Sequence, residues 1–162
     1  MPNAIVFYRI ARWFYVRNIP VIPSLFQLLI FLVYNSKVPP TADIGKGSYL
    51  ICKGIATVII DGARIGSGCR IGIGVRIIGK GPYKNVPYIG DQVFMGAGSV
   101  IAGPVIIGDR VIIAPNAVVT KSVPAGAIVG GVPAKIIGRV DQLDYDILAN
   151  QADLEGHAEY LS

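Results

Sequence analysis

Aliphatic side chains recur at every sixth position through the middle of the chain. The series is Ile59, Ile65, Ile71, Ile77, Ile89, Met95, Ile101, Ile107, Ile113 and Val119, and only Tyr83 interrupts it. In most repeats the next residue is glycine or alanine, and the fifth residue is small or β-branched. A six-residue period fits neither an amphipathic helix nor a two-sided strand. The pattern predicts an all-β fold, a left-handed parallel β-helix whose aliphatic side chains fill a narrow three-sided prism.

The repeats divide the chain into three segments. Residues 1–38 are apolar, aromatic and basic, and they predict two helices, Ala4–Arg17 and Ser24–Tyr34, on either side of a proline-containing break. Residues 39–138 predict the β-helix, with roughly five coils at about eighteen residues per coil. We expect an irregular coil around 51–56 and an extruded loop at 79–87, where a repeat is skipped. Residues 139–162 form an acidic tail with a short helix predicted over 141–148.

The charge is unevenly distributed along the chain. The net charge is +5. All 15 Lys and Arg residues precede residue 140, whereas only four of the 10 acidic residues do. A body this cationic attracts anions such as phosphorylated cofactors, acidic glycans or lipid headgroups. The bases are scattered without a basic helix or aromatic residues interleaved among them, which argues against a nucleic acid partner.

The N-terminal segment combines apolar side chains with arginines. The run Leu25–Tyr34 is about half of the ~20 residues that span a bilayer. Together with Arg9, Arg12 and Arg17, it predicts peripheral contact of residues 4–34 with an anionic membrane surface. The alternative is that both helices pack as ordinary core.

The sequence also favours a reducing compartment. Cys52 and Cys69 are too few for a disulfide framework, and no signal-peptide pattern opens the chain. We therefore expect a cytoplasmic protein, peripheral on the cytoplasmic face of the inner membrane.

Three stretches of the repeat region resemble a known family. They are Pro40–Gly47, Ile89–Val100 and the terminal Gly-Gly-Val-Pro-Ala-Lys-Ile-Ile-Gly at 130–138. With these motifs the chain resembles the left-handed β-helix acyltransferases, in the branch of serine acetyltransferases and of colanic-acid or capsule O-acetyltransferases. The resemblance implies a homotrimer with acetyl-CoA in the cleft between adjacent β-helices. It also implies a groove for the pantetheine arm of CoA, which is lined here by Gly96, Ala97, Ala114 and Pro115. Lysines are implied at the anionic nucleotide end of CoA, and these are Lys121 and Lys135.

The chain departs from this family at the residues that remove the acceptor's proton. Where homologues carry His-His-Gly on the first coil, this chain has Cys52-Lys53-Gly54, and Val86 replaces a second histidine of serine acetyltransferases. The one histidine is His157, in the acidic tail. A zinc site of the kind found in carbonic-anhydrase-like β-helices needs three histidines and is excluded, so no metal is expected.

Several residues remain as candidates for the general base. Lys53 could serve if burial among cations lowered its pKa, and Asp61 could act as a carboxylate base. Cys52 lacks an adjacent base to activate it, and His157 would have to reach in from the tail. We predict that the base is on the coil of Lys53 and Asp61. The alternative is that no residue performs chemistry.

These observations define two hypotheses about function. The first is an acetyl-CoA-dependent O-acetyltransferase that acts on a sugar, a polysaccharide intermediate or a serine-like hydroxyl acceptor. The second is a trimeric homologue that binds CoA, or serves as a scaffold or regulatory subunit, without catalysis because both histidines are lost.

Overall fold

The hexads fold into a three-sided parallel β-helix that follows two α-helices. The computed structural model describes residues 1–82, 85–144 and 146. Helix α1 spans Ala4–Val16 and helix α2 spans Val21–Tyr34. Short 3₁₀ turns lie at Ile51–Gly54 and Val140–Gln142.

Each coil contributes one short strand to each of three faces. Face 1 contains β1 (Asp43–Ile44), β4 (Arg64–Ile65), β7 (Tyr88–Ile89) and β10 (Ile106–Ile107). Face 2 contains β2 (Tyr49–Leu50), β5 (Arg70–Ile71), β8 (Phe94–Met95), β11 (Ile112–Ile113), β13 (Ala127–Gly130) and the antiparallel β14 (Lys135–Arg139). Face 3 contains β3 (Val58–Ile59), β6 (Arg76–Ile78), β9 (Val100–Ala102) and β12 (Val118–Val119).

The prism interior is the predicted aliphatic column. Every aliphatic member of the six-residue series, from Ile59 to Val119, is buried, and so are the small or β-branched residues at the fifth position. Parallel pairing places equivalent residues next to each other, as in Ile44, Ile65 and Ile89. The predicted β-helix is therefore confirmed.

Glycine at the corners is required by the close approach of neighbouring coils. A Cβ placed on the corner glycines would lie only 2.2–2.7 Å from atoms of the next coil, which holds for Gly45, Gly66, Gly72, Gly90, Gly96 and Gly108. Real Cβ atoms do not approach other heavy atoms so closely, and neighbouring coils would have to move apart.

The number of coils is smaller than the sequence predicted. Four full coils and a partial fifth are present, where we expected roughly five. The difference arises because two corners take extra residues. One is the predicted irregular corner after Leu50, which contains the 3₁₀ turn Ile51–Gly54. The other is the longer connection between β6 and β7, which includes the exposed Gly81 and Pro82.

The corners stack into three edges, of which two carry the predicted site residues. The second edge joins face 2 to face 3 through residues 51–57, 72–75, 96–99 and 114–117. The third edge joins face 3 to the next face 1 through residues 60–63, 79–82, 85–87, 103–105 and 120–122.

Helix α1 covers the open end of the first coil. The Tyr8 hydroxyl donates to the Ala42 carbonyl at 2.8 Å and accepts from the Ile44 N–H at 3.1 Å. Arg9 donates to the carbonyls of Ile44 and Gly45. Arg12 donates to the carbonyls of Pro40 and Ala42 and pairs with Asp43 at 2.8 Å. These two arginines, which we expected to face a membrane, instead bind the first coil.

Helix α2 begins three residues earlier than predicted. It starts at Val21, and Pro23 lies inside its first turn. A proline is accepted there because the first N–H groups of a helix have no partner within the helix. The helix packs on α1 through Phe7, whose ring centroid lies 6.3 Å from that of Phe26 and 6.2 Å from that of Tyr34.

The other end of the prism closes with a hairpin. Strand β14 runs antiparallel to β13 on face 2, and the Val140 N–H donates to the Gly126 carbonyl at 2.9 Å. The helix predicted over 141–148 extends beyond the described residues, and His157 also lies outside them.

A corner glycine and a loop glycine provide a test of the stacking constraint. In Gly66→Ala the new Cβ would lie 2.3 Å from Asp91 Oδ1 and 2.5 Å from the Gly90 carbonyl oxygen. We expect a loss of about 1–3 kcal/mol in the free energy of unfolding, measured by urea denaturation at one protomer concentration. Gly81→Ala is the control, because a Cβ at Gly81 has none of the described residues within 4 Å. Equal denaturation midpoints for the two variants would contradict this explanation.

Removing one hydroxyl tests how tightly α1 holds the first coil. Tyr8→Phe leaves the Ile44 N–H without the hydroxyl oxygen it donates to in a buried site. We expect a loss of about 1–3 kcal/mol in the free energy of unfolding. Tyr15→Phe on the same helix is the matched control, because Tyr15 is exposed. If both variants unfold at the wild-type midpoint, the Tyr8 hydroxyl does not hold the helix in place.

Candidate active site

The predicted cofactor residues stack along the second edge. The Gly96 N–H donates to the Ile113 carbonyl at 2.8 Å, and the Asn116 N–H donates to the Ala97 carbonyl at 2.9 Å. This register places corner 96–99 directly beside corner 114–117. Ala97 and Pro115 are exposed, whereas Gly96 is buried. The edge therefore presents a smooth surface of small side chains and backbone.

The glycine at position 96 has a structural explanation of its own. A Cβ there would lie 2.5 Å from the Pro115 nitrogen. Stacking of the coils requires this glycine with or without a ligand. Ala97, Ala114 and Pro115 are the members of the predicted groove that reach its surface, in part or fully.

Lys53 and Cys52 lie at the start of the same edge. The Gly74 N–H donates to the Ile55 carbonyl at 3.2 Å, which aligns their corner with the corners above it. Cys52 and Lys53 have φ values of 52° and 63°, in the left-handed region that non-glycine residues seldom adopt. Both side chains are exposed. Backbone strain of this kind is found at functional sites more often than elsewhere.

The strained corner is held in place from beneath by Ser36. The Ser36 hydroxyl donates to the Gly54 carbonyl at 2.5 Å and accepts from the Thr57 N–H at 2.9 Å. In addition, the Ala56 N–H donates to the Tyr34 carbonyl at 3.0 Å. The end of α2 thus fixes the corner that presents Lys53.

Asp61 lies on the third edge, away from Lys53. Lys37 Nζ donates to Asp61 Oδ2 at 2.8 Å, and the Thr41 hydroxyl donates to Asp61 Oδ1 at 2.9 Å. The hydrogen bond from Lys37 holds the pKa of Asp61 below its ordinary value, although partial burial opposes this effect. A carboxylate with a lowered pKa is a weaker base. One chain therefore does not bring Lys53 and Asp61 together.

Lys37 and Thr41 were missed by the sequence analysis. Lys37 forms an isolated parallel bridge with Val58, which places it beside β3, the first strand of face 3. This segment lies before the regular hexads, and the irregular first coil hides its register. No signal in the six-residue pattern could have identified the pair with Asp61.

The two predicted lysines of the nucleotide end occupy different edges. Lys135 is exposed and pairs with Gly130 at the top of face 2. Gly130 lies next to Ala114 of the second edge, because a Cβ on Gly130 would lie 3.3 Å from the Ala114 Cβ. Its partner Lys135 is therefore close to the upper end of the second edge. Lys121 is exposed on the third edge. The predicted set is thus divided between two edges of one prism.

A depression of about 450 Å³ adjoins the third edge. Its lining includes Gly62, Arg64, Asn85, Tyr88 and Pro104. Arg64 is exposed, and no ion pair to it occurs within the described part of the chain. The acid beside it on face 1, Asp43, pairs with Arg12. The Arg64 guanidinium was also missed by the sequence analysis, and it suits a carboxylate or another small anion.

The two thiols differ in their surroundings. Cys69 fills the prism interior, and burial raises the pKa of its thiol, which makes it unreactive. Cys52 is exposed, and both cysteines are free. Cys69 is therefore a packing residue, as the repeat pattern indicated.

The comparisons with known proteins agree with this architecture. The family pattern of bacterial transferase hexapeptide (six repeats) matches residues 87–121. The serine acetyltransferase of Synechococcus elongatus is 36% identical over 149 residues, which cover 88% of this chain and 61% of that protein. The serine acetyltransferase of Helicobacter pylori strain J99 is 33% identical over 137 residues, which cover 83% of this chain and 80% of that protein.

Solved structures give the same result. A serine acetyltransferase in complex with CoA superimposes with a TM-score of 0.75 at 29% identity, and the match covers 83% of this chain and 55% of that one. The chain belongs to the hexapeptide-repeat transferase family, and these relatives are serine acetyltransferases. It spans about three fifths of the length of the Synechococcus relative. The relatives support the serine acetyltransferase side of the resemblance and give no support to its polysaccharide side.

The pair of Lys37 and Asp61 predicts a pH effect at low pH. The pKa of Asp61 is lowered by folding, so the pair stabilises the protein above the unfolded pKa of ~3.9, and this stabilisation is lost as pH falls through the folded value. Both side chains are about half exposed, so we expect at most about 1 kcal/mol. Carboxyl ¹³C NMR should show Asp61 titrating at higher pH in Lys37→Met and unchanged in the control Lys46→Met. An unchanged midpoint in Lys37→Met would show that Lys37 does not control this carboxylate.

Proposed function

We propose that this protein is an acetyl-CoA-dependent O-acetyltransferase with a small hydroxyl acceptor, for which serine is the leading candidate. The observation that carries the proposal is the joint match of fold and sequence to serine acetyltransferases, one of them in complex with CoA. The second edge supports it further, because small corners and exposed backbone allow a long, thin ligand to approach closely.

The division of candidate residues between two edges supports a cleft between subunits. In a trimer of prisms, each cleft is lined by one edge from each of two neighbouring chains. The second edge would supply Lys53, Ala97 and Pro115, and the third edge of the neighbour would supply Lys121. We propose such a homotrimer, which is consistent with closed cyclic symmetry and which sedimentation equilibrium can test directly.

In the proposed reaction, acetyl-CoA lies along the second edge with its phosphates toward Lys135 and Lys121. Lys53 takes the proton of the acceptor hydroxyl. The hydroxyl oxygen attacks the thioester carbonyl, and the CoA thiolate leaves and receives the proton that Lys53 took up. Backbone N–H groups stabilise the tetrahedral oxyanion. Arg64, on the face that adjoins the third edge, would hold the acceptor's carboxylate.

An assay of CoA release with serine tests the catalytic assignment. Lys53→Met should lower kcat by about 10²–10⁴-fold, the usual effect of losing a general base, while the affinity for CoA stays close to that of the wild type. His157→Ala should change little. Asp61→Asn should have a smaller effect than Lys53→Met, because Lys37 and Thr41 already occupy both oxygens of Asp61.

Two results would contradict the catalytic assignment. If His157→Ala alone abolishes turnover, then the tail reaches the site and the base is not on the first coil. If Lys53→Met keeps wild-type kcat, Lys53 is not the base.

A second function is favoured by the state of the candidate bases. Lys53 is exposed in the single chain, Asp61 is held as a carboxylate by Lys37, and no histidine occurs among the described residues. A trimer that binds CoA without transferring the acetyl group would fit these observations. Calorimetric binding of CoA, together with no CoA release above the buffer rate from acetyl-CoA and serine or other hydroxyl acceptors, would support this function over catalysis.

A further inference from the structure

Helix α2 carries a broad apolar surface that no other part of the described chain covers. Leu25, Leu28, Leu29 and Leu32 are 63%, 52%, 37% and 70% exposed. A groove of about 340 Å³ is lined only by these four leucines and Phe26. Four leucines exposed side by side form a contiguous patch of the kind that marks an interaction site.

The apolar surface is wider than the stripe by which a helix usually packs on protein. Val21, Phe31 and Val33 are also exposed. At about 100° per residue, the exposed apolar residues of α2 cover roughly 200° of its circumference, whereas a helix on a protein core buries a stripe of about 100°. A flat, deformable apolar medium fits such a broad surface better than a groove on a partner protein does.

The length of α2 limits how it can meet such a medium. The helix has 14 residues, which is about 21 Å at 1.5 Å per residue, against the ~30 Å of a hydrocarbon core. Within the described residues, no helix is long and apolar enough to cross a membrane. The helix would therefore lie in the plane of the interface.

The charge of this end of the molecule suits an anionic lipid surface. Residues 1–42 contain three arginines, one lysine and no acid. Because Arg12 pairs with Asp43 and Lys37 pairs with Asp61, Arg17 is the cation that this end offers to lipid. At the end of α1, the Arg17 guanidinium lies 3.7 Å from the ring centroid of Trp13, and both side chains are exposed together with Tyr15. Trp, Tyr and Arg are the side chains that favour the boundary between lipid and water.

We propose that the exposed face of α2, together with Trp13 and Arg17, binds the surface of an anionic lipid membrane. Arg9 and Arg12 take no part, because they bind carbonyl groups of the first coil. Binding therefore depends mainly on insertion of the leucines and only secondarily on charge. It would place the β-helix, with both candidate edges, at the membrane surface.

Flotation of the full-length protein with vesicles tests this proposal. We expect the wild type to float with phosphatidylcholine vesicles that contain a minority of phosphatidylglycerol, and less with phosphatidylcholine alone. Trp13 is the one tryptophan of the chain, so its fluorescence should shift to shorter wavelength on binding. The double variant Leu25→Ser, Leu32→Ser should lower the vesicle partition coefficient at least about tenfold, because each leucine loses its transfer from water to lipid.

Matched variants separate lipid insertion from other causes. Ile137→Ser changes a residue that is 67% exposed on the opposite end of the prism, and it should float like the wild type. Arg17→Gln should reduce binding to the anionic vesicles while leaving binding to phosphatidylcholine nearly unchanged. Arg9→Gln is a poor probe because it disturbs the first coil.

Three outcomes would overturn the proposal. The first is that the wild type floats with neither kind of vesicle. The second is that the leucine double variant floats as well as the wild type. The third is that neither protein floats and the double variant has a smaller mass than the wild type in sedimentation equilibrium. This result would show that a second copy of the chain covers the exposed face of α2.

Discussion

At the glycine that follows the aliphatic residue in most repeats, neighbouring coils approach each other so closely that there is no room for a Cβ. The hypothetical Cβ atoms of Gly72 and Gly96 would lie 2.7 Å and 2.5 Å from backbone atoms of the next coil. Carboxylates tie together the corners that join face 1 to face 2, since Asp91 accepts from the Ser67 N–H at 2.7 Å and Asp109 accepts from the Asp91 N–H at 2.8 Å. A straight, flat second edge follows from this spacing, and the candidate cofactor surface depends on it.

The core could be predicted from the sequence because each repeat buries its aliphatic residue in the same way. Ile71, Met95 and Ile113 are equivalent by local pattern alone, and pairing across coils only repeats that pattern. The ends of the prism could not be predicted. Arg12 looks like a surface cation in the sequence, and its binding to Pro40 and Ala42 depends on contacts between distant segments.

In the candidate site, too, the repeat predicts where a residue lies but not its contacts with distant segments. Ala97 and Pro115 belong to regular corners, so their common edge follows from the period. Asp61 also belongs to a regular corner, but its chemistry depends on Lys37, which reaches it from before the first coil. A residue's position on an edge can therefore be predicted from the repeat, while its ionisation depends on a neighbour that the repeat does not place.

The attachment of helix α1 also determines how these molecules can associate. The open end of a β-helix exposes three strands at once, and unpaired strand edges are templates for addition of another chain. Tyr8, Arg9 and Arg12 occupy carbonyl groups of the first coil that another prism would otherwise bind. Helix α1 thus terminates the coil stack at this end and disfavours end-to-end addition of a second prism.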